Sequence, residues 1–205
     1  PTAPILGDIT VNGRRIKAVM QVSKQAFTYV FDRKTGEPVW PIVERPVPPT
    51  TVPRDRTSPT QPFPTKPPAF DLQGSTEQNL MNFTPALYQR ALAVLQQFTH
   101  GPLYTPPSLQ GTITIPGNFG AGSWGGASFD PETGMLYVPS RMMVHFQQVI
   151  PGGPGETVLY RAGRPGAPAT PPPGGSSVTP PPLANPTLVD DLWLFKPPYS
   201  RVTAI

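Results

Sequence analysis

Thirty-three prolines among 205 residues limit this chain more than any other feature. Proline has no backbone N–H and a fixed φ, so helix interiors and central strands are confined to the intervals between prolines. The densest stretches, 41–68 and 151–186, predict extended surface chain and a long irregular loop respectively. Regular structure is left to 5–40, to 84–98 and to 111–150. With 19 glycines the prolines make up about a quarter of the chain, which borders on low complexity. Disorder throughout is excluded by the 37% hydrophobic and 9% aromatic content, enough apolar surface to offset the entropy of ordering.

Strand follows strand over 5–40. Asp8 to Val11 leads into Asn12-Gly13, the pair that tolerates positive φ at both centres of a type I′ turn, and then into Ile16 to Val22. Beyond Ser23-Lys24-Gln25 come the aromatic and β-branched residues of 26–31, a turn at 32–36, and Pro38-Val39-Trp40. Four antiparallel strands in one sheet are predicted.

One helix is predicted, over 84–98. Thr84 is placed to cap it, Pro85 sits at the tolerated first position, and Leu87, Ala91, Val94, Leu95 and Phe98 recur at helical spacing. That apolar stripe reads as core packing. Further strands are predicted at 111–115, 127–130, 135–139, 141–150 and from Ser200 onward. A glycine-dense loop, Pro116-Gly117-Asn118-Phe119-Gly120-Ala121-Gly122-Ser123-Trp124-Gly125-Gly126, divides the first two.

The charge pattern excludes a nucleic-acid footprint. Sixteen Lys and Arg against 12 Asp and Glu leave +4, with basic residues only in short groups such as Arg14, Arg15, Lys17. With no Cys there is no disulfide, thiolate metal site or cysteine nucleophile. The opening PTAPILGDIT lacks the basic and apolar regions of a signal peptide, so export would have to be encoded outside the chain.

Phe31-Asp32-Arg33-Lys34-Thr35-Gly36 returns as Phe129-Asp130-Pro131-Glu132-Thr133-Gly134, an offset of 98 residues. At about 40 to 50 residues per propeller blade, the offset fits two blades, or one enlarged by an insertion at 41–108. Two ordinary β-turns account for the repeat equally well when it stands alone. Context adds more. Tyr29 through Trp40 resembles the tryptophan-docking motif of quinoproteins. Ser58-Pro59-Thr60-Gln61-Pro62-Phe63-Pro64, Tyr104-Thr105-Pro106-Pro107-Ser108, and Pro116-Gly117-Asn118-Phe119-Gly120 with Trp124-Gly125-Gly126 follow in order. Together they resemble the pyrroloquinoline quinone (PQQ) dehydrogenases of the membrane glucose dehydrogenase type.

The resemblance implies an all-β fold, a portion of an eight-bladed β-propeller with antiparallel blades, carrying the proline-rich and single-helix insertion. It implies an internal section of that propeller across 1–205, completed by the remainder of the propeller or by a complementary chain. PQQ and a divalent metal, Ca or Mg, are the expected cofactors. A sugar or alcohol is the expected substrate, a quinone or cytochrome the acceptor, and the periplasm the location. A noncatalytic propeller module, structural or binding, is the alternative.

Residue by residue, the resemblance places Lys24 where the family has a lysine reaching the quinone oxygens or carboxylates of PQQ; a solvated loop lysine is the plain reading of the same residue. Asn118 and Trp124 match residues bordering the PQQ pocket, with interblade packing equally open for Trp124. Trp40 reads as structural, and Asp32 and Asp130 as turn-formers. Asp8 does not match the family's base, so no catalytic residue and no metal ligand is assigned. His100 and His145 are isolated in sequence and read as a helix-end residue and a strand residue.

Overall fold

The computed structural model describes residues 2–153, 155–163 and 186–205. The stretch predicted as loop over 151–186 lies mostly outside them. Strands β1 (Ile5–Val11), β2 (Arg14–Val22) and β3 (Thr28–Asp32) form an antiparallel sheet in that order. Asn12 and Gly13 both take positive φ, 50° and 76°, so the type I′ turn brings Val11 opposite Arg14 and Ile9 opposite Ile16. Strand alternation then buries Ile16, Ala18, Met20 and Val22 on one face of β2.

The expected fourth strand does not form. Pro38 makes a single bridge to Phe31, flanked by Val39 N–H bonding the Val30 carbonyl and Asp32 N–H bonding the Glu37 carbonyl, each at 2.8 Å, and the pairing extends no further. The proline-rich stretch corrects in the opposite sense. Within it β4 (Ile42–Pro46) and β5 (Thr60–Pro64) pair antiparallel, although the stretch was expected to run without a ladder. In a two-stranded ladder alternate N–H groups face away from the partner, and Pro62 and Pro64, two residues apart, share that parity.

Helix α1 (Pro85–Leu95) is capped by the Thr84 side chain, which accepts from Leu87 N–H at 3.1 Å. It ends three residues before the expected limit. Phe98, beyond the end, still packs edge-on against Phe146 with ring centres 5.2 Å apart. Leu87, Ala91 and Leu95 are buried in one core cluster with Leu80, Met81, Ile113, Leu194 and Phe195.

After the helix come β6 (Thr112–Thr114), β7 (Ser128–Asp130), β8 (Met135–Arg141), β9 (His145–Gln147), β10 (Val149–Pro151), β11 (Tyr160–Ala162), β12 (Leu188–Val189), β13 (Leu192–Trp193) and β14 (Ser200–Ala204). The single strand expected over 141–150 is broken: β9 pairs with β6, whereas β10 pairs with β11. At the break the chain serves two other segments, Met142 N–H bonding the Tyr199 carbonyl and the Met143 carbonyl accepting from Gly117 N–H.

The sheet β14-β8-β7 turns Leu136 and Val138 into a second cluster with Met20, Val22, Val30 and Phe70. Its other face leaves Tyr137, Pro139, Val202 and Ala204 exposed. Both copies of the repeated turn close alike. The Asp32 carboxylate accepts from Lys34 N–H and the Asp130 carboxylate from Glu132 N–H, each at 2.9 Å. Gly36 and Gly134 then take positive φ, 79° and 74°.

Candidate functional site

Lys24 lies in the turn joining two rigid strands. Ser23 N–H bonds the Phe27 carbonyl at 2.8 Å, the Ser23 hydroxyl accepts from Phe27 N–H at 3.2 Å, and Ala26 takes φ 67° to close the turn. The Lys24 carbonyl accepts from Ala121 N–H at 2.9 Å, which fastens the turn to the glycine-dense loop. The ammonium reaches the same loop and donates to the Asn118 carbonyl at 2.8 Å. Two residues 94 apart in sequence are thus joined.

The glycines make this closeness possible. A Cβ on Gly120, whose φ is +79°, would stand 2.4 Å from Lys24 Cβ and 2.6 Å from its Cα. A Cβ on Gly117 would stand 2.5 Å from His145 Cβ. At both positions the missing side chain admits neighbouring protein.

Asn118 is the hub. Besides accepting from Lys24, its side-chain Oδ1 accepts a short hydrogen bond from Gln147 Nε2, and its Nδ2 lies 3.4 Å from His145 Nε2. Around it opens a pocket of about 290 Å³ whose lining includes Lys24, Gln25, Tyr104, Thr105, Thr114 and Gln147. Among the described residues no carboxylate lines it. Beneath, Tyr104 packs edge-on against Phe63, 5.7 Å between ring centres, and Phe63 likewise against Phe27 at 5.3 Å. Burial raises the Tyr104 pKa; burial and then the neighbouring Tyr104 push that of Tyr29 up to about 12. Both phenols stay neutral hydrogen-bonding groups at physiological pH.

All 205 residues match the family model described as PQQ, glucose/ethanol/alcohol dehydrogenase, beta-propeller domain. The chain belongs to this PQQ β-propeller family. Quinoprotein glucose dehydrogenase of Escherichia coli (strain K12) is 35% identical over 161 residues, covering 76% of this chain and 19% of the relative. The glycerol dehydrogenase large subunit of Gluconobacter thailandicus is 30% identical over 141 residues, covering 68% and 19% respectively. The chain therefore spans about a fifth of the length of these relatives. Among solved structures, quinohemoprotein alcohol dehydrogenase from Pseudomonas putida HK5 overlaps 80% of this chain and 20% of its own, at 21% identity and a TM-score of 0.40.

Within this PQQ-family propeller segment, the three residues singled out from the sequence fall in two places. Lys24 and Asn118 share the pocket. Trp124 stands on the far limb of the same loop, 82% exposed and outside the pocket lining. A separate hollow of about 510 Å³ opens beside it between Ser123, Gly125 and Gly126 and the strands of Arg141 and Arg201. Trp40 is half-buried against the second core cluster with Val39 and Phe129. Asp8 pairs with Arg15 at 3.3 Å and Arg33 at 3.5 Å, away from the pocket.

Three pocket-side residues escaped the sequence reading: Tyr104, His145 and Gln147. The last two left a faint trace, since residues two apart on a strand share a face. Tyr104 opens one of the stretches that carry the resemblance but was not singled out as a site residue; its φ of 69° lies in a loop. Among the described residues no group of three His, Asp or Glu side chains is placed to hold a metal ion.

Proposed function

We propose that this chain is one sector of a PQQ-dependent dehydrogenase that oxidises a sugar or alcohol, and that the Lys24 and Asn118 pocket forms part of its cofactor site. The observation behind this reading is the 2.8 Å bond joining the two residues in a pocket whose polar side chains are amides, hydroxyls and an ammonium, with no carboxylate among the described lining residues. PQQ is a planar quinone bearing three carboxylates, so a lining whose one charged side chain is an ammonium, beside apolar Leu103, Ile113 and Ile115, fits it. When bound, it supplies an electron-accepting ortho-quinone, chemistry the side chains do not have.

In this reading Lys24 presents a fixed positive charge to the oxygens of the cofactor. Its ammonium is placed by the 2.8 Å bond to the Asn118 carbonyl, so a positive charge is already at hand where negative charge would develop. Asn118 offers its amide as donor and acceptor, and its backbone carbonyl keeps the ammonium in place. Trp124, outside the lining of this pocket, has no part in the reading. The divalent metal, Ca or Mg, and the base that takes the substrate proton belong to other parts of the polypeptide, as no residue here matches the family's catalytic aspartate. Electrons leave for a quinone or cytochrome in the periplasm.

The test uses the full polypeptide that carries this chain. Lys24→Ala lowers turnover by about 10² to 10³ and weakens PQQ binding by less, because the charge matters most as the oxygen becomes anionic. The 205 residues alone, given PQQ and metal, show no turnover. Unchanged kinetics in Lys24→Ala, or activity from the 205 residues alone, would contradict the reading.

A further inference from the structure

The Asn118 amide is gripped from one side by two residues of a single short strand. His145 and Gln147 are two apart on β9, so both side chains emerge from the same face. Strand β9 is itself fixed against β6, Thr114 opposite His145 and Thr112 opposite Gln147. The loop bearing Asn118 is tied to the chain just before β9 by the Gly117 N–H bond to the Met143 carbonyl at 2.7 Å. Gly117 permits the approach, because a side chain there would meet His145 Cβ at 2.5 Å.

Gln147 uses an N–H to bond Asn118 Oδ1, and this decides the rest of the chain of bonds. With Oδ1 turned to Gln147, Nδ2 must face His145, whose Nε2 lies 3.4 Å away and accepts when its ring proton sits on Nδ1. Turning the Asn118 amide over by itself would set donor against donor at Gln147, and reversing the pair requires Gln147 to turn as well and the His145 ring proton to move to Nε2. An asparagine with only one such partner rotates between two nearly isosteric orientations and shows a ligand a donor or an acceptor indifferently. Held at both ends, Asn118 keeps one remaining N–H and one remaining lone pair in fixed directions.

We infer that His145 and Gln147 are positioning residues that fix the orientation of the Asn118 amide toward the bound cofactor. The inference rests on the cofactor reading above and goes beyond it: His145 lies outside the pocket lining, and Gln147, though part of that lining, spends its donor on Asn118. A pre-oriented amide binds without the cost of selecting one orientation, which is the general gain from preorganisation.

The test is equilibrium PQQ binding, followed by absorbance, in the full polypeptide with thermal unfolding as a control. His145→Leu removes the acceptor and weakens PQQ about tenfold, the effect of one lost hydrogen bond to a binding group. His145→Gln supplies an acceptor oxygen in place of Nε2 and restores affinity to within about threefold. Gln147→Met, similar in size but without a donor, behaves like His145→Leu. On an Asn118→Ala background neither His145→Leu nor Gln147→Met weakens PQQ further, because nothing is left to orient.

Equal losses in His145→Leu and His145→Gln, or additive losses on the Asn118→Ala background, would reduce His145 to a packing residue and overturn the inference. If Lys24→Ala weakens PQQ while the β9 variants leave it unchanged, the inference falls and the cofactor reading stands. If the wild-type polypeptide does not bind PQQ, both fall.

Discussion

Replacing Gly120 by alanine attacks the contact that holds the pocket together. Two costs arise. At φ +79° a Cβ meets its own backbone, worth about 1 to 2 kcal/mol. The same Cβ would lie 2.4 Å from Lys24 Cβ and 2.6 Å from its Cα, backbone-proximal atoms that cannot swing aside, and such overpacking costs a further 1 to 3 kcal/mol or so. Gly120→Ala is therefore expected to destabilise by about 2 to 5 kcal/mol. Two other glycines separate the causes. Gly134 has φ +74° with nothing near its Cβ position, so Gly134→Ala shows the conformational part alone, about 1 to 2 kcal/mol. Gly125 has neither positive φ nor neighbour, and Gly125→Ala stays within about 0.5 kcal/mol of wild type. Urea unfolding of the full polypeptide gives the three values, and PQQ titration shows whether affinity falls only in Gly120→Ala. If Gly120→Ala and Gly134→Ala prove equal in stability, or if Gly120→Ala binds PQQ normally, the close contact with Lys24 does not shape the pocket.

Three further outcomes are expected. Trp40→Ala costs about 1 to 3 kcal/mol in urea unfolding, less than for a fully enclosed indole because Trp40 is half-buried, and leaves PQQ affinity unchanged; selective loss of cofactor would give Trp40 a binding role. The Thr133 hydroxyl and the Glu132 N–H hold the Asp130 carboxyl below its usual pKa, so its stabilisation is full above the ordinary carboxylate pKa and is lost as pH falls through the lowered one. The melting-temperature gap between wild type and Asp130→Asn accordingly shrinks from neutral pH toward about pH 2; a gap that widens on acidification contradicts the assignment. Finally, the exposed face carrying Tyr137, Pro139 and Val202, with Val202 67% exposed, makes the isolated 205-residue chain self-associate in sedimentation, and Val202→Lys reduces this; a wild-type chain that stays monomeric at all concentrations refutes it.

What could be read from residues alone follows the range of the interactions involved. The Asn12-Gly13 hairpin, the Thr84 cap and the twin Asp-x-x-Thr-Gly turns are set by neighbours within a few positions, and all formed as expected. The unexpected pair β4 and β5 turns on which way single N–H groups face, which composition does not encode. The break in 141–150 reflects demands from Gly117 and Tyr199, both distant in sequence.

The site divides along the same line. Lys24 and Asn118 were legible only through a resemblance, and their bond across 94 positions has no local signature. His145, taken as an isolated strand residue, acquires its partner because Gly117 lets a loop 27 positions away fold onto it. Trp124 shares a loop with Asn118 yet not its pocket, since proximity along a glycine-rich chain does not ensure a common face.

The most direct test of the account is a structure of the full polypeptide with PQQ bound. The account predicts the Lys24 ammonium in hydrogen-bond reach of a quinone or carboxylate oxygen, with the Asn118 amide facing the same molecule and still held by Gln147. PQQ bound elsewhere, with Lys24 directed into solvent away from it, would contradict the assignment of this pocket.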